Sequence, residues 1–419
     1  MGESLPHGWR LARLNELGSV ERGRSRHRPR NAPHLYGGRY PFVQTGDIKA
    51  AGLRLFDFTQ TYSDAGLAQS RLWPVGTLCI TIAANICDTT ILGIPACFPD
   101  SVVGFTPAQG ATHVVYVKYA LDLAKRRFTD ISRGATQDNL SVEKMLSQLL
   151  PVPPLPIQRR IASILGAYDD LIEVNRRRIA VLEEMVRRLF DEWFVHFRFP
   201  GHEGHRMVET EHGRLPEGWC VGMAADILAF DPPTKVPRAG SKPFIPMTAL
   251  STSNSLIEDT QYREGNSGSK FQNGDTLFAR ITPCLENGKT GLVRRLSSDG
   301  GIGFGSTEFI VMRKRVVGPS FVYCLARSEP FRAHAIKSMS GATGRQRVRV
   351  QSLQQFTVAV PPAELIEYFE NVTWPMLEMV GAIGRSTLSL AHSRDLLLPR
   401  LISGELSVIE AERELDAAA

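Results

Sequence analysis

LPHGW at residues 5–9 returns as LPEGW at residues 215–219. Outward from that pair, PFVQTGDIKAAGL (41–53) is answered by PFIPMTALSTSNSL (243–256), and PVGTLCITIA (74–83) by NGDTLFARIT (273–282). RGATQDNLSVEKM (133–145) is answered by SGATGRQRVRVQSL (340–353), and LLPVPPLPIQRRI (149–161) by FTVAVPPAELIEYF (356–369). The offset is 210 residues at LPxGW, 207 at GAT and 208 at the paired prolines. Five echoes in one order at nearly one offset identify a tandem duplication. Each half holds about 150 residues of short strands, glycine turns and a few helical stretches, then a proline-rich hinge and a long helix. Between the shared landmarks the two halves differ widely, as expected of one scaffold carrying two different surfaces.

The first long helix is expected from Gln158 to about Val195, a stretch without proline after its opening turn. Ile161, Leu165, Tyr168, Ile172, Asn175, Ile179, Leu182, Val186, Leu189 and Trp193 step by four and three, a heptad seam. Asn175 in that seam trades packing for register, because an unpaired amide inside a helix interface is costly. Glu173–Arg177, Glu183–Arg187 and Glu184–Arg188 are spaced to pair along the helix. Some 38 residues at 1.5 Å each give a rod of roughly 55 Å. The second copy steps through Leu365, Phe369, Val372, Met376, Met379, Ile383, Ser386, Leu390, Ser393 and Leu397. Pro375 is expected to kink or break it near Trp374, Gly381 and Gly384 to loosen it, and PRLISGEL from Pro399 to close it. Two such helices invite antiparallel pairing, which would set the two globular units at opposite ends of a rod. The plainer alternative lays each helix on its own domain.

At 419 residues, 43% hydrophobic and 22% charged, the chain suits two globular domains with connectors. No run approaches a membrane span, and MGESLPHGWR lacks a signal-peptide core. The six cysteines (79, 87, 97, 220, 284 and 324) form no CxxC, which argues against a zinc ribbon and fits reduced thiols in a cytoplasm. The net charge of +6 only weakly points to nucleic acid, and its distribution says more. RGRSRHRPR carries Arg22, Arg24, Arg26, Arg28 and Arg30 at alternate positions, and RQRVR repeats the pattern with Arg345, Arg347 and Arg349. In extended backbone alternate residues share a side, so each run presents a row of guanidiniums to a phosphate chain; a solvated loop explains one such run equally well.

These landmarks resemble the specificity subunits of type I restriction–modification systems: LPxGW opening each half, GAT followed by a Leu or Val, the PP-led helix containing NRRRIAVLEEMVRRLFDEWF (175–194), and LLLPRLISGEL (396–406) at the close. The resemblance runs from about residue 5 to residue 408. The chain departs from the pattern in PLPIQRR, where an acidic residue usually precedes the Gln, and in Pro375. The resemblance implies a mixed α/β (α+β) fold with two target-recognition domains, at 1–153 and 201–361. Conserved spacer helices at 154–200 and 362–408 form an antiparallel coiled coil, and 409–419 is a C-terminal tail. It further implies that each domain reads one half of a split, asymmetric target in double-stranded DNA. Two methyltransferase subunits dock on the helices and restriction–translocase subunits join them; S-adenosylmethionine, ATP and Mg belong to those partners, and none to this chain. The arginine rows suit phosphate contacts or bidentate reading of guanine. Thr136, Gln137 and Asn139 in the first half, and Arg280, Lys289 and Gln346 in the second, suit base contacts, an amide matching adenine N6/N7. GATQDNL reads equally as a turn with an Asn cap before SVEKMLSQL.

Chemistry within the chain is disfavoured. Asp231-Pro232-Pro233 begins like an adenine-methyltransferase loop, but Thr234 stands where an aromatic ring should stack on a flipped base. GIGFG at 301–305 follows it instead of preceding it. Pro99-Asp100 has its nearest DxK, Asp47-Ile48-Lys49, upstream, and no GxxxxGK[ST] loop is present. The sequence therefore predicts a DNA-binding, non-catalytic subunit. An assembly adaptor with inactive recognition domains is the alternative, and salt-dependent DNA binding separates the two.

Overall fold

The computed structural model describes residues 5–132, 140–211, 213–296, 299–342 and 344–418. The chain divides into two compact units: residues 1–174 with 388–419, and residues 175–387.

In the first unit, LPHGW folds as a tight turn: the Trp9 N–H donates to the Pro6 carbonyl at 3.0 Å, and Gly8 sits at φ +81°. That left-handed conformation is cheap only for glycine. Arg10–Arg13 then pairs antiparallel with Leu149–Val152, so the chain enters and leaves the domain through one two-stranded neck. Beyond the neck lies a five-stranded sheet in the order Gly18–Arg22, Val102–Pro107, Leu78–Thr81, Thr89–Leu92, Arg54–Leu55, antiparallel except for the last pair. The strands LCIT and TTIL are buried along their whole length, as their β-branched and apolar residues require. The helix Val114–Ser132 packs on this sheet through Tyr116, Val117, Tyr119, Ala120 and Leu121.

The second unit repeats the plan. Trp219 N–H donates to the Pro216 carbonyl at 3.1 Å, with Gly218 at φ +88°. Cys220–Met223 pairs with Thr357–Val360 as the second neck. A four-stranded sheet runs Leu228–Phe230, Phe309–Lys314, Thr276–Ala279, Thr290–Leu292. A second sheet, in the order Gln261–Arg263, Lys242–Ile245, Ile302–Gly305, Ser269–Gln272, stands where the first unit has only Tyr36–Phe42 paired with Gln60–Tyr62. The duplicated landmarks are thus scaffold, and the domains diverge between them.

Each LPxGW turn meets a proline of the paired PP: a Cβ on Gly8 would lie 3.5 Å from Pro154, and one on Gly218 3.9 Å from Pro362. Those prolines lead into the long helices Leu155–Phe190, extended by a π turn to Val195, and Ala363–Ser403. At 1.5 Å per residue the first spans about 54 Å. Gln158 of PLPIQRR is 1% exposed and tied on both sides: its Oε1 accepts from the His113 N–H and its Nε2 donates to the Pro153 carbonyl, both at 2.9 Å.

Within each unit the long helices contact one another and a domain. In the first unit, Arg394 near the end of the second helix pairs with Asp169 on the first, while Gly166 of the first faces Leu53 of the domain. In the second, Trp193 lies against Tyr368 and Phe369, with ring centroids 5.3 and 5.7 Å away. There Gly384 meets Leu256 of the domain. Along the first helix, Ile161, Leu165, Ile172, Asn175, Ile179, Val186 and Trp193 are buried, and Tyr168, Leu182 and Leu189 half-buried.

Three expectations need correction. The second helix runs unbroken through Pro375. The proline itself is exposed, while Phe369, Thr373, Leu377 and Val380 around it are fully buried. One lost hydrogen bond and ring clash cost about 3 kcal/mol, whereas burial of Phe, Leu and Val side chains contributes about 1.5–3 kcal/mol each. Packing wins. The helix also continues past Pro399, ending at Ser403 with Gly404 at φ +79°. Second, its buried stripe is out of phase with the expected seam: Ile366, Phe369, Thr373, Leu377, Val380 and Gly384 are buried, and Met379 is 54% exposed. Val372, Met376, Ile383, Leu390 and Leu397 are half-buried. The stripe is displaced because one flank of this helix is claimed by the domain. Third, Glu183 does not pair with Arg187. It accepts from the Ser255 N–H and the Tyr323 hydroxyl, while Arg187 and Arg188 both bind Glu184 and hold its carboxyl down to about 2.

Gly404 seats against Pro6 and Trp9, so the end of the second helix closes onto the first LPxGW turn. Phe194 in the closing turn of the first helix, with Phe197 and Phe199 beyond it, surrounds Trp219 in the same way. The segment 409–419, set apart as a tail, falls largely within the helix Val408–Ala418, with Val408 and Ala411 buried and Glu412 paired to Arg160.

Candidate nucleic-acid interface

The first arginine row lies where strand Gly18–Arg22 runs on beyond its pairing. Gly23 N–H donates to the Val102 carbonyl at 2.8 Å and Arg24 N–H to the Phe98 carbonyl at 3.1 Å. Arg26 and His27 N–H groups both donate to Gln69 Oε1, at 2.6 and 3.0 Å. These bonds keep the segment extended, with Gly23 and Ser25 buried and Arg22, Arg24 and Arg26 exposed between them. The alternation stops there. Arg28 turns back on its own loop, donating to the Ser25 and His27 carbonyls at 2.7 and 2.8 Å. Arg30 pairs with Asp100 at 2.9 Å, and Arg22 Nε donates to the Asp100 carbonyl at 3.1 Å. Among the described residues, only the Arg24 and Arg26 guanidiniums in this row have no protein partner.

The second row is built alike. Arg347 bridges Ser340 and Ile281, Val348 N–H donates to the Arg280 carbonyl at 2.9 Å, and Thr282 N–H to the Gln346 carbonyl at 3.1 Å. Val348 is fully buried and Gln346 half-buried, while Arg345, Arg347 and Arg349 are exposed. Arg347 forks onto Glu308 through bonds of 2.6–3.0 Å, and that fork holds Glu308 below the ordinary carboxylate range. Arg280 donates to the Val348 carbonyl at 3.2 Å and Lys289 to the Met247 carbonyl at 3.0 Å, so both are tied to the loops that carry the row. Arg345 and Arg349 keep free guanidiniums among the described residues. Thr136, Gln137 and Asn139 lie outside the described residues.

Each domain therefore offers a short extended ridge with two uncompensated cations, braced by neighbouring arginines that have already found anions. Free guanidiniums on a rigid ridge suit phosphate oxygens, which ask for charge and position. Asp231-Pro232-Pro233 is scaffold: Asp231 N–H donates to the Val311 carbonyl at 2.7 Å and its Oδ1 accepts from the Val311 N–H at 2.8 Å, which clips the sheet edge. Among the described residues no three acidic, His or Cys side chains are grouped to hold a metal. None of the described helices is long and apolar enough to cross a membrane.

Residues 6–184 match the family model described as the type I restriction modification DNA specificity domain. The MjaIX specificity subunit of Methanocaldococcus jannaschii is 21% identical over 97% of this chain and 95% of its own. The amino-terminal part of the chain thus resembles a type I restriction modification DNA specificity domain. The EcoEI specificity subunit of Escherichia coli adds a local likeness, 29% identical over 35% of this chain and 26% of its own. The crystal structure of the type I S subunit from M. genitalium shares the fold, with a TM-score of 0.57 at 12% identity, covering 96% of this chain and 97% of that one.

Sequence reasoning missed the anions that brace the rows, Asp100 and Glu308. It also missed the polar contacts between the domains and the long helices: Tyr119 with Asp169, and Tyr323 with Glu183. Their partners lie 50 and 140 residues away, beyond any local pattern.

Proposed function

We propose that this chain reads a split, asymmetric DNA target, one half with each recognition domain, for a type I restriction–modification complex. The observation that carries the reading is the pair of equivalent necks bearing unlike domains, each with a braced arginine ridge. Residues 1–153 and 201–361 are the reading domains, 154–200 and 362–408 the spacer helices. Arg24, Arg26, Arg345 and Arg349 contact phosphates, while Arg22, Arg28, Arg30, Arg280, Lys289 and Arg347 hold the ridges in shape. Thr136, Gln137, Asn139 and Gln346 remain candidates for base contacts. Asn175, buried in the first helix, fixes helix register.

Two methyltransferase subunits dock on the helices, and restriction–translocase subunits join that complex. Leu171 and Val174 in the first unit, and Val181 and Met185 in the second, support a docking role, since these apolar side chains of the first helix are exposed. S-adenosylmethionine, ATP and Mg then serve those partners, and this chain positions their chemistry. The test is single-molecule sequencing for N6-methyladenine in DNA from cells expressing the chain with its cognate methyltransferase subunit. The expected result is a motif of two unlike halves around a gap of about six to eight base pairs, a fraction of one turn. An assembled complex without methylation would point to an adaptor with inactive domains.

A further inference from the structure

In the first unit a single carboxylate joins three elements. Asp169, on the first long helix and only 10% exposed, accepts from the Tyr119 hydroxyl at 2.5 Å through one oxygen and from Arg394 through the other. Tyr119 belongs to the helix Val114–Ser132 of the recognition domain, and Arg394 to the second long helix. The second unit makes the same three-way tie with other residues. Glu183, on the first long helix, accepts from the Tyr323 hydroxyl at 2.8 Å and from the Ser255 N–H at 2.7 Å, both in the domain. Arg294 of the domain donates to Ser255 Oγ at 2.8 Å and to the Leu377 carbonyl of the second long helix. Tyr119, Tyr323 and Ser255 are buried. Burial also pushes both phenol groups well above their ordinary range, so each hydroxyl stays a donor.

The two ties are not copies. Asp169 and Leu377 occupy matching places in the repeat, a carboxylate in one and a bare carbonyl in the other. Different side chains thus meet one geometric demand in both units. That demand is angular. Across different helix pairs, crossing angles scatter by about 15–20° around each preferred class, so the packing class alone does not specify one angle. Half of one base-pair step is about 17° of duplex rotation, taking 10–10.5 base pairs per turn. The packing class therefore does not choose between adjacent gap lengths, whereas charge-assisted hydrogen bonds add a constraint on both distance and angle.

We propose that these two polar clamps, Tyr119–Asp169–Arg394 and Tyr323–Glu183–Ser255–Arg294, fix the angle at which each recognition domain is carried on its long helices and thereby set the gap length of the target. The inference rests on the split-target reading above. The residues are positioning residues, and they touch no DNA.

The test pairs wild type with the double variant Tyr119→Phe/Tyr323→Phe, which removes two hydroxyls and keeps both rings. Each full-length chain is assembled with its methyltransferase subunit and given a plasmid library carrying both half-sites at gaps from two base pairs shorter to two longer. N6-methyladenine is then read by single-molecule sequencing. The expected result is unchanged half-site motifs with selectivity between adjacent gaps falling about tenfold or more, as befits loss of two buried bonds to carboxylates. Gap selectivity within twofold of wild type would overturn the proposal, as would loss of the half-site motifs themselves. Should the double variant not assemble, Asp169→Asn/Glu183→Gln, which keeps side-chain volume, decides by the same readout. A wild-type complex that methylates no split motif refutes the functional reading, and this inference falls with it. A selective wild type with an equally selective variant refutes the clamps alone.

Discussion

Leu406 lies near the carboxyl end of the chain, yet it is buried in the core of the first unit among Leu14, Leu17, Ile161, Leu165 and Leu401. Leu406→Ala should therefore weaken the amino-terminal domain. Removing a buried leucine side chain costs about 2–5 kcal/mol, depending on how far the site collapses. Leu406 follows the Gly404 turn against Pro6 and Trp9, which limits collapse, so about 3 kcal/mol is expected. At about 1.4 kcal/mol per factor of ten, that is roughly a hundredfold loss of protection against amide exchange. A two-unit chain has no single unfolding free energy, so the assay must be local. Hydrogen exchange on peptides covering Leu78–Thr81 and Thr276–Ala279 separates the units. Loss confined to the first strand is expected. Unchanged protection there, or an equal loss in both strands, would refute the claim that the carboxyl end completes the first unit.

Four further outcomes follow from other features. Arg345→Ala and Arg349→Ala should each weaken DNA binding of the assembled complex and lower its salt slope by about one, uniformly across sequences; an unchanged slope would remove them from the phosphate-contact set. Gly8→Ala and Gly218→Ala place a side chain at positive φ and should each cost about 1–2 kcal/mol, read as a fall in Tm of the corresponding unit. Pro375→Ala restores a helical N–H at an exposed position and should raise stability, by up to about 3 kcal/mol, seen as higher exchange protection around Asn371. Glu308, depressed by the Arg347 fork, contributes stability that is present above its ordinary 4.5 and lost as pH falls through its lowered value. Denaturation of Glu308→Gln and wild type should therefore differ at pH 5 and converge on further acidification.

The duplication was legible because its landmarks are local: a Pro-x-Gly-Trp turn and a proline pair hold the same conformation wherever they occur. The long helices were legible from spacing, and the exposed face of the first arginine row from its alternation. What the sequence hid is non-local. Pro375 reads as a breaker until Phe369, Thr373 and Leu377 are seen buried around it. The phase of the second helix depends on a domain surface that includes Leu256, which no heptad count contains. Five arginines in a row look equivalent, yet Arg30 finds Asp100 seventy residues away, and among the described residues only Arg24 and Arg26 stay free.

The two-stranded necks have an evolutionary consequence. Each globular domain is one uninterrupted stretch of chain whose two ends meet as neighbouring strands, Arg10–Arg13 beside Leu149–Val152 and Cys220–Met223 beside Thr357–Val360. A segment whose ends are already joined can be exchanged without rebuilding the joint. Under the proposed split-target reading, one recombination tract between the two landmarks would change one half of the target and leave the other domain and the long helices in place.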